Sequence, residues 1–341
     1  MCALIRMVQS IIATLVRWRS VVFVAITTIV APEGRSDVPD QKVQQAIERG
    51  VAYVINAQGA DGTWQSAGHS LGATSLAGLA LIAGGQQTDS RSVVAAAAAV
   101  RRLASDDTST YDTALAIMFL DRLGSPADAS LLAVLGRRLN HGQCVDGSWT
   151  YALGPGCGPR GDNSNTQFAA LAAWVARRHG IENDTVLLRL DQYFRGSFDE
   201  SAGGWEYVGR GGATPTMTCA GLVGIAICRG ARQQRFGGDE APDTQTDGRR
   251  RGPVRNQGAA ANDPIAKRAL AALGQELRLA DRDPSNRLNS DLYFLWSLER
   301  VAVIYDLPDI GGVDWYQWGA KRLVQGQSQN GEWRGVSCTK G

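Results

Sequence analysis

Four times the chain writes a tight turn that ends in tryptophan after a helical stretch. The copies are Asp61-Gly62-Thr63-Trp64, Asp146-Gly147-Ser148-Trp149, the looser Gly203-Gly204-Trp205, and Asn330-Gly331-Glu332-Trp333. Gln58 stands six residues before the first Trp, and Gln327 stands at the same distance from the last. A motif recurring between helices points to a repeat architecture. Each copy also has a physical job. Asp-Gly or Asn-Gly turns the chain sharply, because Gly accepts a positive φ without strain. The Trp that follows can plug the gap between neighbouring helices, with its indole N–H bonded.

The segments between the turns read as helices in pairs, over residues 43–57 and 73–83, 93–104 and 111–123, 129–139 and 165–178, 185–194 and 216–228, and 265–279 and 290–305, with an eleventh over 315–325. The first helix of each pair carries apolar residues on one face, as Val43, Ile47, Val51 and Val54 do. The second is apolar and small nearly all round, as in 76–82, 114–120, 168–174 and 220–227. Two layers of helices need this contrast, inner ones buried on most sides and outer ones half wet. The expectation is therefore an all-α fold. Residues 232–262 break the pattern with Arg, Gln, Gly, Asp and Pro, and read as a flexible inserted loop. Its Arg249-Arg250-Arg251 run is largely cancelled by Asp239, Glu240, Asp243 and Asp247.

At 341 residues the chain can bury a large core, and its net charge of +2 gives no push toward nucleic acid. Residues 1–35 read as a targeting segment. Arg6, Arg17 and Arg19 precede an apolar run over 21–30, followed by Ala31-Pro32-Glu33-Gly34. A span needs about 20 apolar residues, so a secretory signal fits better than a membrane anchor, which stays as the alternative. The mature chain would begin between residues 32 and 38, in an exported protein, periplasmic or at the cell surface. Export permits disulfides. Cys144 and Cys157, 13 residues apart around one loop, are the natural pair. Cys219 and Cys228 share one helix, too far apart to bridge, and read as small buried side chains.

The Gln-x3-Asp-Gly-x-Trp element resembles the repeat of the squalene-cyclase and protein-prenyltransferase family, with Gln58 one residue off the ideal offset. The segment Asp291-Leu292-Tyr293-Phe294-Leu295-Trp296-Ser297-Leu298-Glu299-Arg300, then Asp314-Trp315-Tyr316, resembles exported bacterial members. The resemblance covers residues 41–341. It implies an (α/α)6 toroid of six inner and six outer helices around a central cavity. Eleven helices are countable here, and the sequence runs eight residues past Trp333. The toroid is thus expected to lack its last inner helix, through truncation, a frameshift over 336–341, or closure by another chain. An open gap of that kind favours self-association or a protein partner.

Triterpene cyclases of the family protonate their substrate with an Asp-x-Asp-Asp motif. The matching stretch here is Ser109-Thr110-Tyr111-Asp112-Thr113-Ala114, which keeps only the last acid. Tyr111 stands where the proton donor is implied, and a phenol of pKa near 10 cannot protonate an alkene. Asp162-Asn163-Ser164-Asn165-Thr166 keeps only its first acid. Asp112 and Asp162 are the candidate catalytic acids, and N-capping of an inner helix is the competing role for Asp112 and Asn165. The loop His141-x2-Cys144-x-Asp146 holds metal-capable residues without a convincing fourth ligand, so no metal is expected. A complement-like thioester is excluded, because Gly156-Cys157-Gly158-Pro159-Arg160 lacks the required Gln. No nucleotide loop and no nucleophile elbow appears, and no cofactor is expected.

Together these features point to a binding or scaffold module with degraded catalytic signatures. Its cavity, lined by Tyr111, Phe119, Phe168, Trp174 and Trp296, would take an isoprenoid, another lipid or a peptide. The alternative for those rings is core packing. The alternative for the protein is a terpenoid cyclase or prenyltransferase using Asp112 or Asp162 as acid.

Overall fold

A computed structural model describes residues 38–66, 68–154, 157, 160–209, 211–236 and 263–335. The proposed targeting segment, the rest of the inserted loop beyond residue 236, the glycines flanking Cys157 and the 336–341 tail lie outside the described residues. Eleven α-helices and no strand occur among the described residues. They are α1 (Asp40–Asn56), α2 (Ser70–Ala83), α3 (Arg91–Leu103), α4 (Thr110–Leu123), α5 (Ala129–His141), α6 (Asn163–Arg177), α7 (Asp184–Gly196), α8 (Pro215–Phe236), α9 (Pro264–Arg282), α10 (Leu292–Ile304) and α11 (Trp315–Gly326). The fold is all-α. The largest boundary difference from the reading of the sequence is at α8, which runs through residues 232–236, assigned to the loop by their Arg/Gln composition. Arg and Gln are good helix formers, so composition alone did not mark the end.

The two layers are visible in burial and packing. The even-numbered helices form an inner row, in which α2 packs on α4, α4 on α6, α6 on α8 and α8 on α10. Every residue of α2 except Ser70 and Ile82 is buried. The odd-numbered helices are half wet; α3, for example, buries Val93, Ala96, Ala97, Ala99 and Val100 and leaves its Arg residues outside.

The Trp turns after α1, α5, α7 and α11 each join that outer helix to another outer helix. In the first, Gly62 (φ 82°) lies against α3, where a Cβ would come 2.5 Å from the carbonyl oxygen of Ala95. Gly147 lies likewise on Arg189 of α7, and Gly331 on Arg49 of α1, each with its would-be Cβ 2.3 Å from that carbonyl oxygen. The glutamine of the motif completes the joint by donating two bonds from one amide. Gln58 Nε2 reaches Gly62 O at 3.1 Å and Ser92 O at 3.0 Å. Gln327 Nε2 reaches Gly331 O at 3.1 Å and Ala46 O at 2.9 Å. Gln143 does the same with Gly147 O and Val186 O, both at 2.9 Å. Each indole N–H then donates to a carbonyl near the end of the preceding outer helix: Trp64 to Val54, Trp149 to Leu139, Trp205 to Phe194, and Trp333 to Leu323. The indole thus adds a bond at the end of the helix, where carbonyls are under-satisfied. Val54 O and Leu139 O also accept the long C-cap bonds from Ala57 N at 3.3 Å and Gly142 N at 3.2 Å.

Two loops between outer and inner helices carry no such Trp, and arginine replaces it. Arg138 of α5 donates to Ala104 O, Ser105 O and Asp107 O in the loop before α4. Arg322 of α11 donates to Asn289 Oδ1 in the loop before α10 and to Ala280 O near the end of α9. The joints therefore run α1 to α3, α5, α7, α9 and α11, and the last turn returns to α1.

Candidate functional site

The N-termini of the inner helices are where the candidate acids lie. Asp162 is the N-cap of α6, and it is fully bonded. Its Oδ1 accepts from Ser164 N (3.0 Å), Ser164 Oγ (2.5 Å) and Asn165 N (2.9 Å), and its Oδ2 accepts from Asn165 Nδ2 (2.7 Å). A carboxyl group engaged four times at a helix N-terminus is held in place as a cap. The capping role expected for Asn165 belongs to Asp162 instead.

Asp112 differs. The cap of α4 is Ser109, whose Oγ accepts from Asp112 N at 3.3 Å. Asp112 is thus in the first turn, which corrects the expectation that it caps the helix. Its residue is 0% exposed. Oδ2 lies 3.2 Å from His69 Nδ1, in the residue before α2. Oδ1 lies over the backbone of Gly72 without a well-formed hydrogen bond. A Cβ at residue 72 would approach Oδ1 to 2.1 Å, so Gly72 makes the room that the carboxyl occupies. Burial, with Asp107 as a second, like-charged neighbour, pushes the Asp112 carboxyl up to about 8. Burial also pushes the His69 imidazole down, against the pull of Asp107. Both partners thus favour their uncharged forms near neutral pH, a carboxylic acid beside a neutral imidazole.

The aromatic residues come together further in. Phe168 of α6 stacks on Trp296 of α10, with centroids 4.8 Å apart and planes within 8°. Tyr111 of α4 meets Phe168 edge-on at 4.9 Å. Tyr293 of α10 lies 6.1 Å from Trp296, and its hydroxyl donates to Gln167 Oε1 at 2.7 Å. Gln167 Nε2 donates to Ser297 Oγ at 3.3 Å. Helix α8 separates α6 from α10 in the inner row, so these contacts cross the space that the row encloses. The rings there line one another. Burial raises the Tyr111 and Tyr293 phenols well above their ordinary range, so neither serves as an acid at neutral pH.

Phe119 and Trp174 are not in this cluster. Phe119 is 0% exposed between α4 and α2, with its ring against Gly78. Trp174 sits near the C-terminal end of α6, half-buried, beside a surface cavity of about 730 Å³ shared with Arg177, Ile181, Asn183 and Val186. Periodicity placed all five rings on inner helices, but a helix presents several faces, and only three of the five share one that looks across the row.

Cys144 and Cys157 are joined in a disulfide, with Cα atoms 5.3 Å apart, so Cys144 offers no thiolate beside His141 and Asp146. Among the described residues no group of three or more His, Cys, Asp or Glu side chains could hold a metal ion. Cys219 and Cys228 are free and buried, and burial pushes both thiols up.

Several residues of the arrangement were not read from the sequence. Gln143 precedes Trp149 by six residues, the spacing already noted at Gln58 and Gln327, and could have been found by it. A threonine near the start of an inner helix accepts the backbone N–H of the Trp before it: Thr74 from Trp64, Thr166 from Trp149, and Thr218 from Trp205. Thr113 holds the corresponding place in α4, but the loop before it has no Trp, and its hydroxyl is buried without a partner. His69, Gly72 and Gln167 carried no motif and entered through packing alone; Tyr293 stood in the segment of the resemblance, without a role assigned to it.

Compared with known proteins, the chain matches no protein-family model and no curated protein.

Proposed function

We propose that this chain is a scaffold of the squalene-cyclase and prenyltransferase repeat type, a binding module without the family's chemistry. The observation that carries the reading is the stack of Phe168 on Trp296 with Gln167 bonded to Tyr293 and Ser297. Side chains that meet across the inner row occupy the space where a substrate of this family would sit. The departures at Ser109 and Tyr111 support the same reading, as does the engagement of Asp162 by four hydrogen bonds. The apolar centre then serves stability, and recognition falls to the outer surface, for a protein or peptide.

One observation favours a second reading. Asp112 is a buried carboxyl that keeps its proton near neutral pH, a property catalytic acids require. A cyclase or prenyltransferase would use it as general acid. A single experiment separates the two. The purified full chain is extracted for mass spectrometry of bound small molecules, then incubated with squalene and with a prenyl diphosphate. The scaffold reading expects no stoichiometric isoprenoid and no product. A bound isoprenoid, or turnover that disappears in Asp112→Asn, would sink it.

A further inference from the structure

Of the eight tyrosines in the chain only Tyr151 and Tyr207 are exposed, at 39% and 37%, and their hydroxyl oxygens lie 2.5 Å apart. Tyr111, Tyr193 and Tyr305 are buried, and Tyr53, Tyr293 and Tyr316 are half-buried. The contact is held from both sides. Tyr151 lies in the loop over residues 142–162, where its carbonyl accepts from Thr110 N at 2.9 Å and the carbonyl of Thr150 accepts from Thr110 Oγ1 at 2.5 Å. Tyr207 lies in the loop over residues 197–214. Its carbonyl accepts from Asn163 N at 3.1 Å, and the carbonyl of Glu206 accepts from Asn163 Nδ2 at 2.6 Å. The starts of α4 and α6 thus pin the two backbones, and the phenols meet between them. The loop of Tyr151 also carries the Cys144–Cys157 disulfide, itself an oxidative cross-link.

We propose that Tyr151 and Tyr207 form a site of oxidative modification, at which a one-electron oxidant joins the two rings through their ortho carbons as a dityrosine. In such a product the two hydroxyls flank the new bond and face each other, which is the contact that the phenols already make. The ring torsion of Tyr is broad, and rings with more than a third of their surface in solvent have room to turn an ortho carbon of each toward the other. Exposure also admits the oxidant. Tyr111, whose ring centroid lies 6.2 Å from that of Tyr151, is buried and out of its reach. In the reaction each phenol gives one electron to the oxidant and its hydroxyl proton to water. The two phenoxyl radicals pair in the carbon–carbon bond. The hydrogens on the bonded carbons then pass through water to the oxygens, which restores both rings. With hydrogen peroxide as the oxidant, turned over by a haem peroxidase, one peroxide takes up the two electrons and two protons and leaves as two waters. The bond ties the loop after α5 to the loop after α7, across 56 residues of sequence. This proposal depends on neither functional reading above.

The test treats the full chain, dilute, with a haem peroxidase and hydrogen peroxide. The product is digested and its linked peptides are mapped by mass spectrometry, with dityrosine fluorescence as a parallel readout. The expected product is a single chain that has lost two hydrogen atoms, with one linked pair of peptides containing Tyr151 and Tyr207. Tyr151→Phe and Tyr207→Phe should each abolish the link and the fluorescence. Tyr53→Phe and Tyr316→Phe should leave both unchanged. A link within the chain through any other pair, links only between chains, or oxidised chain without a link overturns the proposal. Fluorescence that survives Tyr207→Phe does the same.

Discussion

Asp112 and Asp162 sit at the same end of adjacent inner helices, three residues apart in their register with the cap, and their environments are opposite. Asp162 stands at the cap itself and spends both oxygens on Ser164 and Asn165. Asp112 stands within the first turn, where Ser109 has taken the cap, and meets His69, the Gly72 backbone and the like-charged Asp107. The difference teaches that a carboxylate is made structural or reactive by how many donors face it. Four donors hold a carboxyl group in place at a helix N-terminus. One donor in a dry site leaves a group that prefers its proton.

The largest effect should come from breaking the bonded member of the pair. Asp162→Ala leaves the buried N–H groups of Ser164 and Asn165 without acceptors, and we expect a loss of about 3 kcal/mol in urea denaturation. The next concerns pH. An acid whose folded pKa is about 8, raised from 3.8, binds its proton more tightly in the folded state. Its contribution is therefore intact below pH 3.8 and is lost as pH rises toward 8, with a limiting slope of about 1.4 kcal/mol per pH unit. His69, lowered by burial, acts in the other sense and costs stability as pH falls below its unfolded value of 6.5. Asp112→Asn should flatten the fall between pH 7 and 8, which unfolding curves at stepped pH would show. An unchanged slope would mean that Asp112 is ionised in the fold.

Gly72→Ala sharpens the comparison sterically. It should cost about 2 kcal/mol, and about 1 kcal/mol of that should disappear in an Asp112→Ala background, since the clash is largely with the carboxyl. The smallest effects compare the threonines of the same two helices. Thr166→Val removes the acceptor of the Trp149 N–H and should cost about 1.5 kcal/mol. Thr113→Val removes a hydroxyl that bonds to nothing and should lie within about 0.5 kcal/mol of the parent. Equal costs at the two positions would show that the Trp contact carries no stability.

Much of this architecture was legible in the residues, because helix layers write themselves as periodicity. The contrast between α3, apolar on one face, and α2, apolar on all, placed each in its layer. The Gln-to-Trp spacing marked two of the joints, at Gln58 and Gln327, while Gln143 was overlooked beside the disulfide loop. The acids were harder. In Ser109-Thr110-Tyr111-Asp112 either end could have capped α4, and the choice depends on φ at Ser109, which propensity does not resolve. The meeting of Phe168 with Trp296 was out of reach for a different reason: 128 residues separate them, and only the path of the inner row brings them together. His69 beside Asp112 is the same kind of fact.

The return of the last Trp turn to α1 bears on how this molecule comes apart. A linear stack of repeats can fray from either end, one unit at a time, because each unit has only local neighbours. Here Gln327 and Gly331 grip Ala46 and Arg49, so the outermost units hold each other. Unzipping from that end must first break a joint spanning 278 residues of sequence, between Arg49 and Gln327. The outer helices are thus expected to melt together, and cutting that single clasp would free α1 and α11 to fray as two separate ends.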